Sequence, residues 1–383
     1  MGPRMQICCL IFAWLAALNA APGAEVQVFP GEQWQVATPV SQGIDPQRLQ
    51  TALDYLRTHT GGAGADETII VRNGFLIWRG PAADNVHAIY SCTKTFTSTV
   101  LGLLATDGLL NVDGYAVSYL PALDDEYPEY ALIRLRDLAS MTSGYDGAMS
   151  DGWRFYTTDP NRHLEHVLSY TTCGPPMFKA GTSFKYHDPA VHLLGYILTK
   201  AAKQPLQEVF AQRVAKPIGM KHFSWSDYGR RDGVLFNNPA GTPGGDQGGL
   251  RSNALDLARY GLLYLNRGRW DGKQILDPSF VVRATSNQVP ATLKTPHFDL
   301  TGRYGFFWWT NDVRADGARP WPAAPPRTFA AHGAGRNFIF VIPEWRLVMV
   351  RLSPEPPGNT SAGTVSEAVW NQFFTHLRPA LAQ

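Results

Sequence analysis

The sequence predicts an α+β protein. One antiparallel sheet is built from the two ends of the chain and flanked by helices, with a large, mostly helical insertion between them. Three observations predict it. Two short β-prone runs surround Asn73-Gly74, two more surround Pro343-Glu344, and apolar residues from Ser91 to about Leu276 recur mostly at helical spacing. With 383 residues, 44% hydrophobic and 17% charged, the chain can fill the core of one large domain or two coupled lobes. The expected division is a sheet lobe of about 25–90 plus 300–383 and a helical lobe of about 91–299.

The first 24 residues read differently. Arg4 precedes the apolar stretch Ile7 to Ala17, which is too short to span a bilayer comfortably, and the small residues Ala20, Ala21, Gly23 and Ala24 follow. This is the pattern of a secretory signal peptide, so residues 25–383 are expected to form an exported protein, periplasmic or secreted. No later apolar stretch is long enough to cross a membrane, so no stable insertion is expected after cleavage. The net charge of +2, without long basic or acidic runs, gives no reason to expect a nucleic-acid partner. Loss of the leader leaves Cys92 and Cys173; export permits a disulfide, but two unpaired thiols are the expectation.

Ile44 to Arg57 carries Leu49, Leu53 and Leu56 at helical spacing behind Asp45-Pro46, a cap followed by a first-turn proline. Glu67 to Arg72 and Phe75 to Arg79 form a hairpin around Asn-Gly. Thr95 to Leu104 is an uncharged run that reads as a buried helix, and Ile133 to Met141 and Leu255 to Leu265 read as amphipathic helices. Gly174 to Pro189 and Asn237 to Gly249, rich in Gly, Pro, Asn and Asp, are expected as ordered loops around a site. Gly305 to Trp309 is a candidate strand. Asn337 to Ile342 and Arg346 to Leu352 form the second hairpin, and Thr364 to Leu377 closes the chain as a helix.

The chemistry starts at Ser91-Cys92-Thr93-Lys94. A serine and a lysine three apart share one helix face, and an amine there can accept or polarise the hydroxyl proton. A lysine at the head of a buried helix also demands a partner, because an unpaired buried charge is costly. Cys92 is a poor rival, turned about 100° from that face. His163 and His166 share a helix face, but no third ligand with zinc spacing follows, so no metal is expected. Gly244-Gly245 and Gly248-Gly249 lack a phosphate-loop lysine, and no cofactor is expected. Trp308, Trp309 and Trp345 read as core or pocket wall.

Pro176 to Asp188 (PMFKAGTSFKYHD) and Ala331-His332-Gly333-Ala334-Gly335 make the pattern specific. With the S-x-x-K string, the chain resembles the serine β-lactamase/penicillin-binding superfamily, particularly the class C-related hydrolases. It is closest in character to esterases and 6-aminohexanoate-dimer hydrolases. Gly108 to Pro121, Ile133 to Gly144, Gly248 to Gly268 and Trp270-Asp271-Gly272 resemble the same family, so the likeness covers nearly all of residues 25–383.

The resemblance implies a β-lactamase/transpeptidase-like fold with Ser91 as nucleophile. Tyr186 would mediate proton transfer as a phenolate kept ionised by Lys94. Ser91 and Gly335 would supply oxyanion-binding backbone N–H groups. His332, in place of the K-T-G lysine, would position substrate or support Tyr186 by a hydrogen bond. Asp188 stands where asparagine is commoner. If it reaches the pocket, it should hold Lys94 as ammonium, favour Tyr186 as base, and disfavour acylamino substrates, since an ionised carboxylate only accepts hydrogen bonds. The resemblance therefore implies a serine hydrolase for a small ester, amide or peptide substrate. The alternatives are a β-lactamase or D-Ala-D-Ala carboxypeptidase, and a silent module binding peptidoglycan fragments or a partner.

Overall fold

The computed structural model describes residues 27–61, 64–147, 174–242, 248–289, 303–314, 316–353 and 365–381. Residues 1–24, expected as a signal peptide, and Cys173, His163 and His166 lie outside the described residues.

The main sheet has six strands: β1 (Thr68–Arg72), β2 (Phe75–Arg79), β3 (Trp309–Thr310), β4 (Phe329–Gly333), β5 (Asn337–Ile342) and β6 (Leu347–Arg351). Their spatial order is β3-β4-β5-β6-β1-β2 and all pairings are antiparallel. The two hairpins are joined by β1 and β6, with Ile69 opposite Val350 and Val71 opposite Val348. In the first hairpin Asn73 and Gly74 have φ of 53° and 88°. Positive φ at both central residues is what a tight turn matched to the strand twist requires, and Asn-Gly supplies it with little strain.

Both sheet faces are covered, which is why β5 is buried along its whole length. On one face lie α1 (Pro46–His59) and the last helix, Glu367–Leu377. Leu49, Leu53 and Leu56 meet Ile70, Phe340, Met349, Trp370 and Phe374 there. Asp45 caps α1, accepting from the N–H groups of Gln47 and Arg48 at 2.8 and 3.2 Å. The other face presents Ile69, Val71, Ile339, Val341, Val348 and Val350 to the helix Ala254–Leu265. That helix comes in close at Gly261, where a Cβ would lie 2.6 Å from Val348.

Helix α2 (Thr93–Thr106) lies behind Ala254–Leu265 and is buried from Thr93 to Leu104. Phe96 stacks on Tyr260 at 4.0 Å, and Thr99 Oγ1 bonds the Tyr260 and Tyr264 hydroxyls at 2.9 and 2.8 Å. The apolar core thus runs unbroken from the sheet into the helices.

Two expected elements differ. Gly305 to Trp308 is a turn and only Trp309 of the expected run lies in a strand, β3: Gly305 N–H bonds the Trp308 carbonyl at 2.8 Å and Phe307 has φ of 63°. The N–H groups of Phe306 and Phe307 go to the carbonyls of Ala284 and Ala139, which end the helices Pro278–Ala284 and Leu135–Ala139. Helix-end carbonyls lack intrahelical donors, and this segment supplies them. The Gly174 to Pro189 loop ends earlier than expected, because α3 (Asp188–Ala202) starts at Asp188 with Pro189 in its first turn.

Candidate active site

Ser91 sits in the turn Tyr90–Cys92 that feeds α2. Two backbones hold this turn. A Cβ on Gly333 of β4 would lie 2.1 Å from the Ile89 carbonyl, and one on Gly241 would lie 1.9 Å from the Tyr90 carbonyl. Only glycine permits approaches this close. The Ala334–Arg336 turn after β4 also packs on Tyr90–Cys92, which brings Gly335, with φ of 72°, beside the Tyr90 ring.

Lys94 is 1% exposed and surrounded by oxygen. Its Nζ lies 2.9 Å from Ser91 Oγ, 2.6 Å from the Ala240 carbonyl and 2.9 Å from Asp188 Oδ1. The Tyr186 hydroxyl hydrogen-bonds both Lys94 and Ser91, and Nζ stands 5.0 Å from the centre of its ring. The backbone at His187 is extended, with φ of −150° and ψ of 108°. Extended residues alternate sides, so Tyr186 and Asp188 face Lys94 together. His187 turns away, its Nε2 lying 2.7 Å from the Asp146 carbonyl.

Burial opposes the charge on Lys94, but Asp188 and then Tyr186 outweigh it and hold the amine above its usual range, as ammonium. This is the direction expected for Asp188. The expected resting phenolate is not found. Burial raises the Tyr186 pKa, Lys94 pulls it down less strongly, and the Asp188 carboxylate raises it again. The resting cluster is therefore ammonium, carboxylate and phenol. Cys92, a free and buried thiol, is pushed up by burial and is no competitor for the nucleophile's role.

His332 departs from expectation. Trp309 stands between it and Tyr186, with ring centroids 5.7 Å from Tyr186 and 6.2 Å from His332. Its cross-strand partner Phe338 stacks on it at 4.2 Å. Burial, Arg303 and Lys94 push the imidazole down to about 4, so it is neutral at physiological pH. The expected hydrogen bond to Tyr186 is absent among the described residues, because strand alternation points His332 towards Phe338. There it lines a cavity of about 190 Å³ with Arg303, Trp309 and Glu367.

Sequence reasoning missed the residues behind the cluster. Asn238 Oδ1 accepts from the N–H groups of Ala240, Gly241 and Thr242 at 3.3, 3.0 and 3.4 Å, fixing the loop that aims the Ala240 carbonyl at Lys94. A hydrogen-bonded chain joins this loop to α3. Thr242 meets the Tyr228 hydroxyl at 2.6 Å, Tyr228 meets His192 Nε2 at 3.1 Å, and His192 Nδ1 meets the Asp188 carbonyl at 2.9 Å. The Asn-x-x-Gly turn was the available signal; the Tyr228–His192 contact had none. Among the described residues no group of three His, Cys, Asp or Glu side chains could hold a metal ion, and no helix is long and apolar enough to cross a membrane.

A family model described as Beta-lactamase matches residues 15–372. The chain belongs to the beta-lactamase family. It is 29% identical over 143 residues to a Beta-lactamase of Pseudomonas fluorescens, a match covering 37% of each chain. The chain spans 37%, 53% and 42% of the lengths of the first curated relatives it matches. Its fold is similar to that of a putative 6-aminohexanoate-dimer hydrolase from Bacillus anthracis, with TM-score 0.63 and 19% identity. That match covers 94% of this chain and 91% of the other. It is likewise similar to EstCE1, a hydrolase with promiscuous acyltransferase activity, with TM-score 0.62 and 17% identity, covering 88% and 99%. These beta-lactamase-family likenesses carry the fold.

Proposed function

We propose that the chain is an exported serine hydrolase that cleaves an ester, amide or short peptide bond through an acyl-enzyme on Ser91. One observation carries the reading: the Ser91, Lys94 and Tyr186 polar atoms meet in a single buried hydrogen-bonded cluster at the head of α2. Ser91 attacks the acyl carbon, the Tyr186 hydroxyl gives its proton to the leaving group, and water then releases the acyl group. The helix head and the turn at Gly335 supply backbone N–H groups for the oxyanion.

Esters and amides are favoured over β-lactams on physical grounds. A lysine at position 332 would offer a cation to a carboxylate-bearing substrate, whereas His332 is neutral and held against Phe338 behind Trp309. Purified residues 25–383 are to be assayed with short acyl esters, linear amides, D-amino-acid peptides and nitrocefin. The expected result is an ester or amide kcat/KM at least about tenfold above that for nitrocefin, a margin worth ~1.4 kcal/mol. Faster nitrocefin turnover would overturn the preference. Export is tested by fusing residues 1–24 to a reporter that is active only outside the cytoplasm; a reporter retained inside the cell contradicts it.

A further inference from the structure

Lys94 stands between two oxygens of different kind, donating to Ser91 Oγ and ion-paired with Asp188 Oδ1, each at 2.9 Å, with a further N–H directed to the Ala240 carbonyl. The amide of an asparagine at position 188 could not take up a proton near neutral pH. A carboxylate can. We infer that Asp188 is the final acceptor of the Ser91 proton, which reaches it through Lys94, and that Tyr186 acts from its phenol form as the acid for the leaving group. The inference rests on Ser91 being the nucleophile.

The steps balance. As Ser91 Oγ bonds the acyl carbon, the carbonyl π pair moves onto the carbonyl oxygen. One Nζ proton passes to Asp188 Oδ1, 2.9 Å away, which frees the Nζ lone pair, and the Oγ–H proton passes to that lone pair in the same step. Lys94 remains ammonium, and the negative charge has moved from the carboxylate to the oxyanion. When the tetrahedral intermediate collapses, the bond to the leaving group breaks and the leaving atom takes the Tyr186 hydroxyl proton. Tyr186 is then reprotonated from Lys94, and Lys94 from Asp188. Acyl-Ser91 and a protonated leaving group are the net products. Leaving groups that need a proton, amines above all, suit a site whose tyrosine starts protonated.

The geometry supports this route over a phenolate. Asp188 is the first residue of α3, its carbonyl bonded by His192 Nδ1, and its side chain is 16% exposed. The other titratable groups acting on Lys94 or Asp188 are Tyr186, Tyr228, Tyr304, His187, His332 and Cys92. Burial holds each in its neutral form. Among the described residues, the ion pair therefore carries the charge of the cluster.

The test is kcat/KM against pH for the full mature chain, Asp188→Asn and Asp188→Glu, with fluorophosphonate labelling of Ser91 measured for each. The wild-type enzyme and Asp188→Glu are expected to share an acid limb below about pH 7, in the reach of a perturbed carboxylate. In Asp188→Asn the limb should move to alkaline pH by about one unit or more, and kcat should fall about tenfold or more. A limb in Asp188→Asn at or below the wild-type position overturns the inference, and so does a wild-type limb at or above about pH 7. If Asp188→Asn does not fold, agreement of the limbs of the wild type and Asp188→Glu decides in favour, and disagreement against. Wild-type protein that takes no label at Ser91 defeats the serine reading itself, a different outcome from a misplaced limb.

Discussion

A lysine as buried as Lys94 is tolerated because oxygen surrounds it. Removing its anionic partner leaves a buried charge uncompensated, so Asp188→Ala is expected to destabilise the protein by about 3 kcal/mol, read from urea unfolding at pH 7. No loss would mean that the pair is not coupled in the folded state. His332 makes a second prediction. Its folded pKa of about 4 lies below the unfolded value of 6.5, so between these limits the unfolded chain binds a proton that the folded protein does not. The stability held by the neutral imidazole is complete above about pH 6.5 and is lost as pH falls towards 4. From pH 7 to pH 5 the wild type should lose about 2 kcal/mol more than His332→Gln in urea titrations; equal losses would place His332 in solvent. At this scale Tyr186 and Asp188 were reached through the family resemblance, whereas Ser91 and Lys94 were legible because helical spacing puts them on one face. The direction of His332 and the protonation of Tyr186 were not, because each depends on what distant strands and loops bring beside it, Phe338 in one case and Asp188 with burial in the other.

At the scale of elements, the nucleophile turn owes its shape to two neighbours without side chains. Gly333→Ala would push a methyl into the Ile89 carbonyl, with the built Cβ at 2.1 Å. Backbone cannot yield cheaply there, so the variant should lower the melting temperature and the labelling rate of Ser91 together; unchanged labelling would release β4 from this role. Asn238→Ala frees the loop that aims the Ala240 carbonyl. A cost of about 1–2 kcal/mol in stability is expected, with kcat falling more than KM changes. The hairpin at Asn73-Gly74 was legible because its turn chemistry is local. Gly305 to Trp308 forms a turn, not a strand, because an apolar run does not say whether its N–H groups go to a strand or, as for Phe306 and Phe307, to the ends of two helices.

At the scale of the molecule, the sequence boundaries near residues 90 and 300 do not interrupt the core: Ala254–Leu265 packs on β5 and β6, and α2 packs on that helix. Calorimetry of residues 25–383 should therefore show one unfolding transition, and two separated transitions would contradict a shared core. The α+β architecture was legible because strand patterns at both ends must find one another. The pairing of β1 with β6 was visible only once the chain was folded. That long-range closure also brings Gly333 to the Ser91 turn, and on this convergence the catalytic reading depends. Its most direct test is peptide mapping by mass spectrometry after fluorophosphonate treatment of the wild type, Ser91→Ala and Lys94→Ala. The prediction is a stoichiometric adduct on Ser91 in the wild type, none in Ser91→Ala, and strongly slowed labelling in Lys94→Ala. An adduct on another residue, or none in the wild type, would contradict it.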